Sequence, residues 1–483
     1  MEKEYQNIQI ARFANRVQYE HIGHSNVEQL KKHLLDSLGS LAYSVTNESV
    51  HKLMLQIRNL GEGGECQVPV LGKIAFDRAA QLFTALIRYP DFMDNFLGKE
   101  ATCHPSDNIG SLLAASQLTS TSGKDFITAM ALSYQLQCRL ALEIPVMKEG
   151  IDHTLLLSYS IVAGVSRILQ LSEKQLAHAL GIVGCSMSPM VTSRAAYTYE
   201  WKGFASSMDA MAAIQAVALS QQGMTGPVQL FEGPKGFEDI FGMKLDYDWS
   251  LERFDLIRKC ILKSYNAEVH TQPAVEAALE IRRDHKISPA DIDRVIVTTF
   301  LTAFHITGSG AYGDRRDVET KEQADHSLFY IVAVALLDGE LYPEQFTNER
   351  IRRDDVQQLL RKVEVHTSFP LHKPVAVAAM LDVNTLAYPD KVIANVEVIL
   401  TDGQKFTANK IDFAGFHTRP LSWDDVIKKF KRLSAGYLSP DEQTEMIDVV
   451  QNFESYDAAT LIRCLTKDGH TNKSEFVLHN QSR

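Results

Sequence analysis

The sequence predicts a mainly α protein, built from a large all-helical domain, a smaller α+β domain and a helical tail. Three observations carry this. Up to about residue 260, apolar residues recur at helical spacing in Ala- and Leu-rich stretches with few β-branched runs. After about residue 265, Val- and Ile-rich runs and a hairpin signal alternate with shorter helical segments. From about Arg419 the helical texture returns. The expected division is 1–265, 266–410 and 411–483, with the last segment packing back on the first.

In chain order, Ser25-Asn26-Val27-Glu28 reads as a capping box ahead of Leu30, Leu34, Leu35, Leu38 and Leu41. Helical segments follow at 109–119, 125–144 and 155–170, where Ala114, Ala115 and Ala163 permit close helix–helix approach. Ser172-Glu173-Lys174-Gln175 repeats the capping signal before Leu176 and Leu180. The Gly/Pro-rich stretch 223–242 reads as a loop anchored by Phe231, Phe237 and Phe241. Strands are expected at Val295-Ile296-Val297, Val363-Glu364-Val365 and Val396-Glu397-Val398-Ile399. The last runs through the tight-turn pair Asp402-Gly403 into Lys405-Phe406-Thr407. Helices are expected at 273–281 and at 325–337, the second apolar nearly all round and therefore buried. The tail adds helical segments at 423–433, 440–453 and 458–465.

With 483 residues, 45% of them hydrophobic, the chain has length for two domains. Its net charge of −11 argues against nucleic acid or an anionic membrane as partner, since either calls for a basic face. An anionic substrate would have to be drawn by a local cluster of His, Lys and Arg. No stretch is long and apolar enough to cross a bilayer, and Met1-Glu2-Lys3-Glu4 has neither a signal core nor transit character, so a cytoplasmic protein is expected. The six cysteines are scattered with no Cys-x-x-Cys pair, which reads as reduced core thiols. His21-x-x-His24 has no third ligand nearby, so no metal is expected.

Five clusters carry acid/base chemistry. Asp91-Phe92-Met93-Asp94-Asn95 precedes His104-Pro105-Ser106-Asp107-Asn108, placing carboxylates and an imidazole close to a helix start. There Ser106 and Asp107 look like caps, and Asp94 could cap a turn. Asp152-His153-Thr154 sets an imidazole at a helix N-terminus, where the dipole favours its neutral form. Lys202, near Arg194 and Trp201, opens an Ala-rich helix; a lysine is unfavourable there unless it meets an anion. The segment 263–272 packs Lys263, Tyr265, Glu268 and His270 into the domain junction, where ligand sites often lie. Tyr312-Gly313-Asp314-Arg315-Arg316 is a polar loop able to close over the first domain.

These motifs resemble the 2-methylcitrate dehydratase and cis-aconitate decarboxylase superfamily, MmgE/PrpD. The resemblance rests on the Asp91 and His104 motifs, Trp201-Lys202-Gly203, Lys263 with Ala267-Glu268-Val269-His270-x-Gln272, and Asp325-His326-Ser327 with Tyr330 to Val334. It implies a helical domain with a smaller α+β lid, a homodimer, and a cleft that handles tricarboxylates without metal or cofactor. It places the active site on Asp91, His104, His153, Lys202, Lys263 and Tyr312. Asn95 departs from the Thr of many members. Glu268 stands where the decarboxylases carry His, in the form typical of the dehydratases.

The expected activity is therefore cofactor-independent dehydration of 2-methylcitrate, with citrate a poorer substrate. His104 and His153 are the candidate base and proton carrier, with Asp91 orienting one imidazole. Lys202 and Lys263 bind carboxylates, and Lys263 or Tyr312 supplies the leaving-group proton. Arg194, Glu268 and His270 complete the expected substrate site. The rival readings are cis-aconitate decarboxylation, a related isomerisation, and a helical binding protein without chemistry.

Overall fold

The computed structural model describes residues 4–466, apart from 62, 99–100, 196 and 370–380. Its first core lies among the helices His24–Ser44, Phe76–Arg88, Gly123–Glu143, Thr154–Ile168 and Ala205–Gln221. Leu30, Leu34, Leu35, Leu38 and Leu41 are all fully buried, as their spacing predicts. The capping box expected at Ser25 is absent. That helix starts two residues earlier than such a box would set, at His24, behind Gly23 with φ +80°, so Ser25 sits inside the first turn. Ser172 and Gln175 do form their box. Phe231, Phe237 and Phe241 pack in a row under the 223–242 stretch, with ring centroids 5.1 Å apart at each step.

The second core surrounds a four-stranded mixed sheet in the order Val363–Thr367, Ile292–Thr299, Ala394–Leu400, Lys405–Lys410. The first pair is parallel, Val295 opposite Val363; the others are antiparallel. Gly403, at φ +86°, makes the expected hairpin turn. Helices Gln272–His285 and Leu328–Asp338 pack together within this core, and the second is buried through Leu336. It begins at Leu328 rather than Asp325, because the Ser327 side chain accepts from Tyr330 N and caps it. Asp325 and His326 are thereby left outside the helix.

A small apolar cluster of Leu97, Ile261, Val269, Phe300, Phe413 and Phe416 fills the seam between the cores. Asn95 and Ile261 exchange backbone hydrogen bonds of 2.9 and 2.7 Å, which sets the acid motif beside the 263–272 segment. Leu262 N donates to Gly415 O, and a Cβ on Gly415 (φ +100°) would lie 1.9 Å from Leu262 O, so this crossing demands glycine. The tail helices Trp423–Ser434, Pro440–Gln451 and Ala458–Leu465 return to the first core. Among the described residues no helix is long and apolar enough to cross a membrane.

Candidate active site

The seam opens as a cleft with about 560 Å³ of empty space, its open mouth included. The first core lends Arg88, Asp91, Asn95, His104, His153, Arg194 and Lys263 to its walls; the second lends Glu268, His270, Tyr312 and His326. Eight of the nine residues expected at the site therefore line one cleft. Lys202 does not.

The Phe76–Arg88 helix ends at the cleft floor, and Asp91 follows in the left-handed region, φ +55°. Non-glycine residues adopt this conformation uncommonly, and Asp tolerates it better than most. Its carboxylate meets Arg88 Nη1 at 2.8 Å, Lys202 Nζ at 2.5 Å and Lys263 Nζ at 3.1 Å, and Lys263 also donates to its backbone oxygen at 2.7 Å. Burial alone would raise the carboxyl, but these three cations hold it well below the usual carboxylate range. Asp91 is thus the hub of a cation cluster. The orienting contact expected from it to a cleft imidazole is absent among the described residues.

Lys202 spans the two domains: beyond Asp91, its Nζ lies 3.3 Å from Asp325 Oδ1 and 3.0 Å from His326 Nδ1. Asp325 is ionised, since Lys202, Lys321 and His326 outweigh the burial that would raise it. Asp91, Asp325 and His326 bring donor atoms within 4.8 Å of one another, a spacing suited to a metal ion. The Lys202 ammonium touches all three, filling the place a cation would take. Its reason for standing before a helix is therefore protein carboxylate, where the sequence suggests substrate.

His104 is set by backbone. Its Nδ1 lies 2.9 Å from Asp94 O and 3.1 Å from the Asn95 amide; the carbonyl can only accept, and the amide turned about presents its otherwise unpartnered oxygen, so Nδ1 carries the proton and Nε2 the lone pair. Asp94 anchors the turn: Oδ1 accepts from Ser106 N at 2.9 Å and Oδ2 pairs with His33 Nδ1 at 2.8 Å. Ser106 and Asp107 do not cap as expected. The Asp107 carboxyl has no hydrogen-bond partner among the described residues, lies 3.7 Å from Arg88 Nε, and is pushed by burial to about 7. His153 faces His104 edge-on at 5.2 Å between ring centroids. Asp152 caps the Thr154–Ile168 helix at Thr154 N and grips Arg194 through two bonds of 2.7 and 3.1 Å. Burial lowers His153 to about 3 and, with Arg88 and His153 adding to it, holds His104 well below the usual imidazole value. Both rings are neutral; burial does more here than the helix dipole invoked from sequence.

On the opposite wall, Glu268 accepts from His270 N at 2.9 Å and pairs with His270 Nδ1 at 2.7 Å, while His270 Nε2 meets Tyr388 OH at 3.1 Å. Burial would raise Glu268, but His270 holds it below the usual range, so this carboxylate is ionised. Tyr312 reaches the cleft on a loop whose Arg315 donates to Thr198 Oγ1 at 2.8 Å and Arg194 O at 3.0 Å. That loop is docked on the first domain.

Residues 8–250 match the MmgE/PrpD N-terminal domain, and residues 265–455 match the MmgE/PrpD C-terminal domain. The chain belongs to the MmgE/PrpD family. It is 26% identical to a 2-methylcitrate dehydratase of Salmonella typhi over 77% of this chain and 78% of that one. It is 27% identical to a mitochondrial 2-methylcitrate dehydratase of Yarrowia lipolytica, over 78% and 73%. A cis-aconitate decarboxylase of Mus musculus is 23% identical, over 92% and 90%. The MmgE/PrpD C-terminal domain includes tail helices whose side chains belong to the first core.

Three functional contributors to this MmgE/PrpD cleft escaped sequence reasoning. Arg88 reads as an ordinary helix C-terminal cation. His326 stands in the Asp325-His326-Ser327 motif, beside a serine cap, where nothing in the sequence gives it a role. Lys429, on the tail, donates to Phe92 O at 2.6 Å and Lys263 O at 2.9 Å, and pairs with Asp36 at 2.8 Å. It clamps the backbone beside Asp91 to that of Lys263 from behind the cleft, and no sequence pattern marks it.

Proposed function

We propose that this protein removes water from 2-methylcitrate by acid/base catalysis without metal or cofactor, with citrate a poorer substrate. The observation that carries the reading is His104, a neutral imidazole whose Nδ1–H is spent on Asp94 O and whose Nε2 keeps its lone pair. Such a nitrogen accepts a proton from carbon. An arriving polyanion raises its basicity, because negative charge nearby favours the imidazolium. Arg194 Nη1 and the third N–H of Lys263 have no partner among the described residues, and they supply donors for substrate carboxylates. Electron density that builds on one carboxylate as the C–H bond breaks is stabilised by the same cations.

Ionised Glu268 favours dehydration over decarboxylation. It accepts a hydrogen bond from a substrate hydroxyl and repels a carboxylate placed at the same spot. Decarboxylation of cis-aconitate is the second reading, because the Mus musculus decarboxylase matches more of the chain than the Salmonella typhi dehydratase does. Purified protein incubated separately with 2-methylcitrate, citrate and cis-aconitate separates the two. An ultraviolet alkene signal from 2-methylcitrate supports the proposal; itaconate from cis-aconitate without that signal replaces it with the second reading. The reading includes a homodimer, which light scattering tests.

A further inference from the structure

Elimination of water needs a proton for the departing oxygen, and Lys263 and Tyr312 are the donors the sequence suggests. Lys263 Nζ is already bonded twice to Asp91, once to its backbone oxygen and once to its carboxylate. A phenol is a weak acid near neutral pH. Of the four imidazoles lining the cleft, His104 is committed as base and His270 Nε2 is taken by Tyr388. His153 lies 3.7 Å from Asp152, beyond hydrogen-bond distance, and that carboxylate is spent on Arg194 and Thr154.

His326 differs from all three. Its Nδ1 lies 2.6 Å from Asp325 Oδ1, and Asp325 is fully buried. The ionised carboxylate can only accept, so at this shorter distance Nδ1 carries the proton and donates to Oδ1, while Lys202 Nζ, 3.0 Å from the same nitrogen, directs its protons to Asp91 and Asp325. Nε2 is left without a partner among the described residues, on a side chain that lines the cleft. A buried carboxylate behind an imidazole fixes its orientation and stabilises the imidazolium. Burial and Lys202 hold His326 at about 4 in the empty cleft. A tricarboxylate supplies the negative charge that draws a proton onto it.

Resting on the proposed dehydration, we propose that His326 is the catalytic acid that protonates the departing hydroxyl, with Asp325 as its positioning residue. Base and acid then come from opposite sides of the seam, His104 from the helical domain and His326 from the α+β domain. His104 Nε2 takes the proton from carbon, and the C–H electron pair becomes the second bond of the alkene. The C–O bond breaks, and the oxygen leaves as water with the proton from His326 Nε2. The products are alkene, water, protonated His104 and neutral His326; His104 returns one proton to solvent and His326 takes one up before the next turnover.

The test compares 2-methylcitrate with its analogue carrying fluorine in place of the leaving hydroxyl, because fluoride departs without needing a proton. In His326→Gln, water elimination should fall about 10²- to 10⁴-fold while fluoride release stays within about tenfold of the parent protein. Asp325→Asn should show the same split, to a smaller degree. His104→Gln should fail with both substrates. Equal loss with both in His326→Gln, at an unchanged melting temperature, overturns the assignment while leaving dehydration intact; so does undiminished water elimination. If His326→Gln does not fold, His326→Asn is read by the same two rates. A parent protein that releases fluoride but never water overturns the proposed function itself, and the acid with it.

Discussion

Lys429→Met isolates what the tail contributes to the site. The ammonium is buried and is bonded to Phe92 O, Lys263 O and Asp36. Removing one partner of a buried pair costs roughly 3–5 kcal/mol, because the other charge is stranded. Asp36 escapes part of that cost by taking up a proton, since burial already holds its carboxyl above the usual range. The loss of stability should therefore be smaller at pH 5 than at pH 8. Adding Asp36→Leu removes the stranded charge, and exchanging a whole buried pair for apolar side chains is often close to neutral. The double variant should recover the share of stability lost to the stranded charge, but not the share lost by the two unpaired carbonyls. Activity should not follow. Each carbonyl loses a charged hydrogen bond of about 1.5–3 kcal/mol, and if even half of one such bond holds Asp91 and Lys263 in place, kcat/KM falls about 4- to 13-fold. Urea unfolding of both variants at the two pH values, beside steady-state rates, reads both effects. A double variant that regains full kcat/KM along with its stability would show that these carbonyls need no brace.

Lys202→Met should lower stability and kcat together, because it takes from Asp91 and Asp325 the cation they share; a stable variant with only KM raised would return Lys202 to the substrate-binding role its sequence position suggests. His104 must be unprotonated to act as base and is held well below 6.5, so the acid limb of kcat/KM should lie below that ordinary imidazole value. A limb at 6.5 or higher refutes that environment. Asp107 is raised to about 7 in the folded chain. Its unfolded counterpart ionises near 4, so it opposes folding increasingly from about pH 4 to 7 and constantly above that. Asp107→Asn should therefore gain stability relative to the parent across that window, levelling off near 4 kcal/mol above pH 7. A pH-independent difference in urea midpoints would sink this.

Periodicity and turn chemistry made the architecture legible, because the Leu30–Leu41 spacing, the Val295, Val363 and Val396 runs and the Asp402-Gly403 turn each state a local preference that packing then rewards. Residue type and a family resemblance brought Asp91, His104, His153 and Lys263 to attention. What they could not convey was partnership. Lys202 near an anion reads the same whether the anion is substrate or Asp91, and only the folded chain brings residues 91, 202 and 325 together. Lys429 and Arg88 were missed for the same reason: each acts through contacts distant in sequence or hidden by burial, which carry no periodic signature. The Ser25 misreading is local. A glycine at φ +80° lets a helix start without a side-chain cap, and the nearby serine mimics one.

The clamp on the trailing helix also has a consequence for synthesis. Every proton-carrying group of the cleft has left the ribosome once residue 326 is free, yet the lysine that pins Phe92 to Lys263 follows a hundred positions later. A nascent chain halted before the Trp423–Ser434 helix holds all the chemistry and lacks its fastening, so the cleft cannot mature piecemeal as each domain emerges. A break engineered into the 411–422 connection should yield two inert pieces that regain turnover on mixing, with the short piece acting as a key.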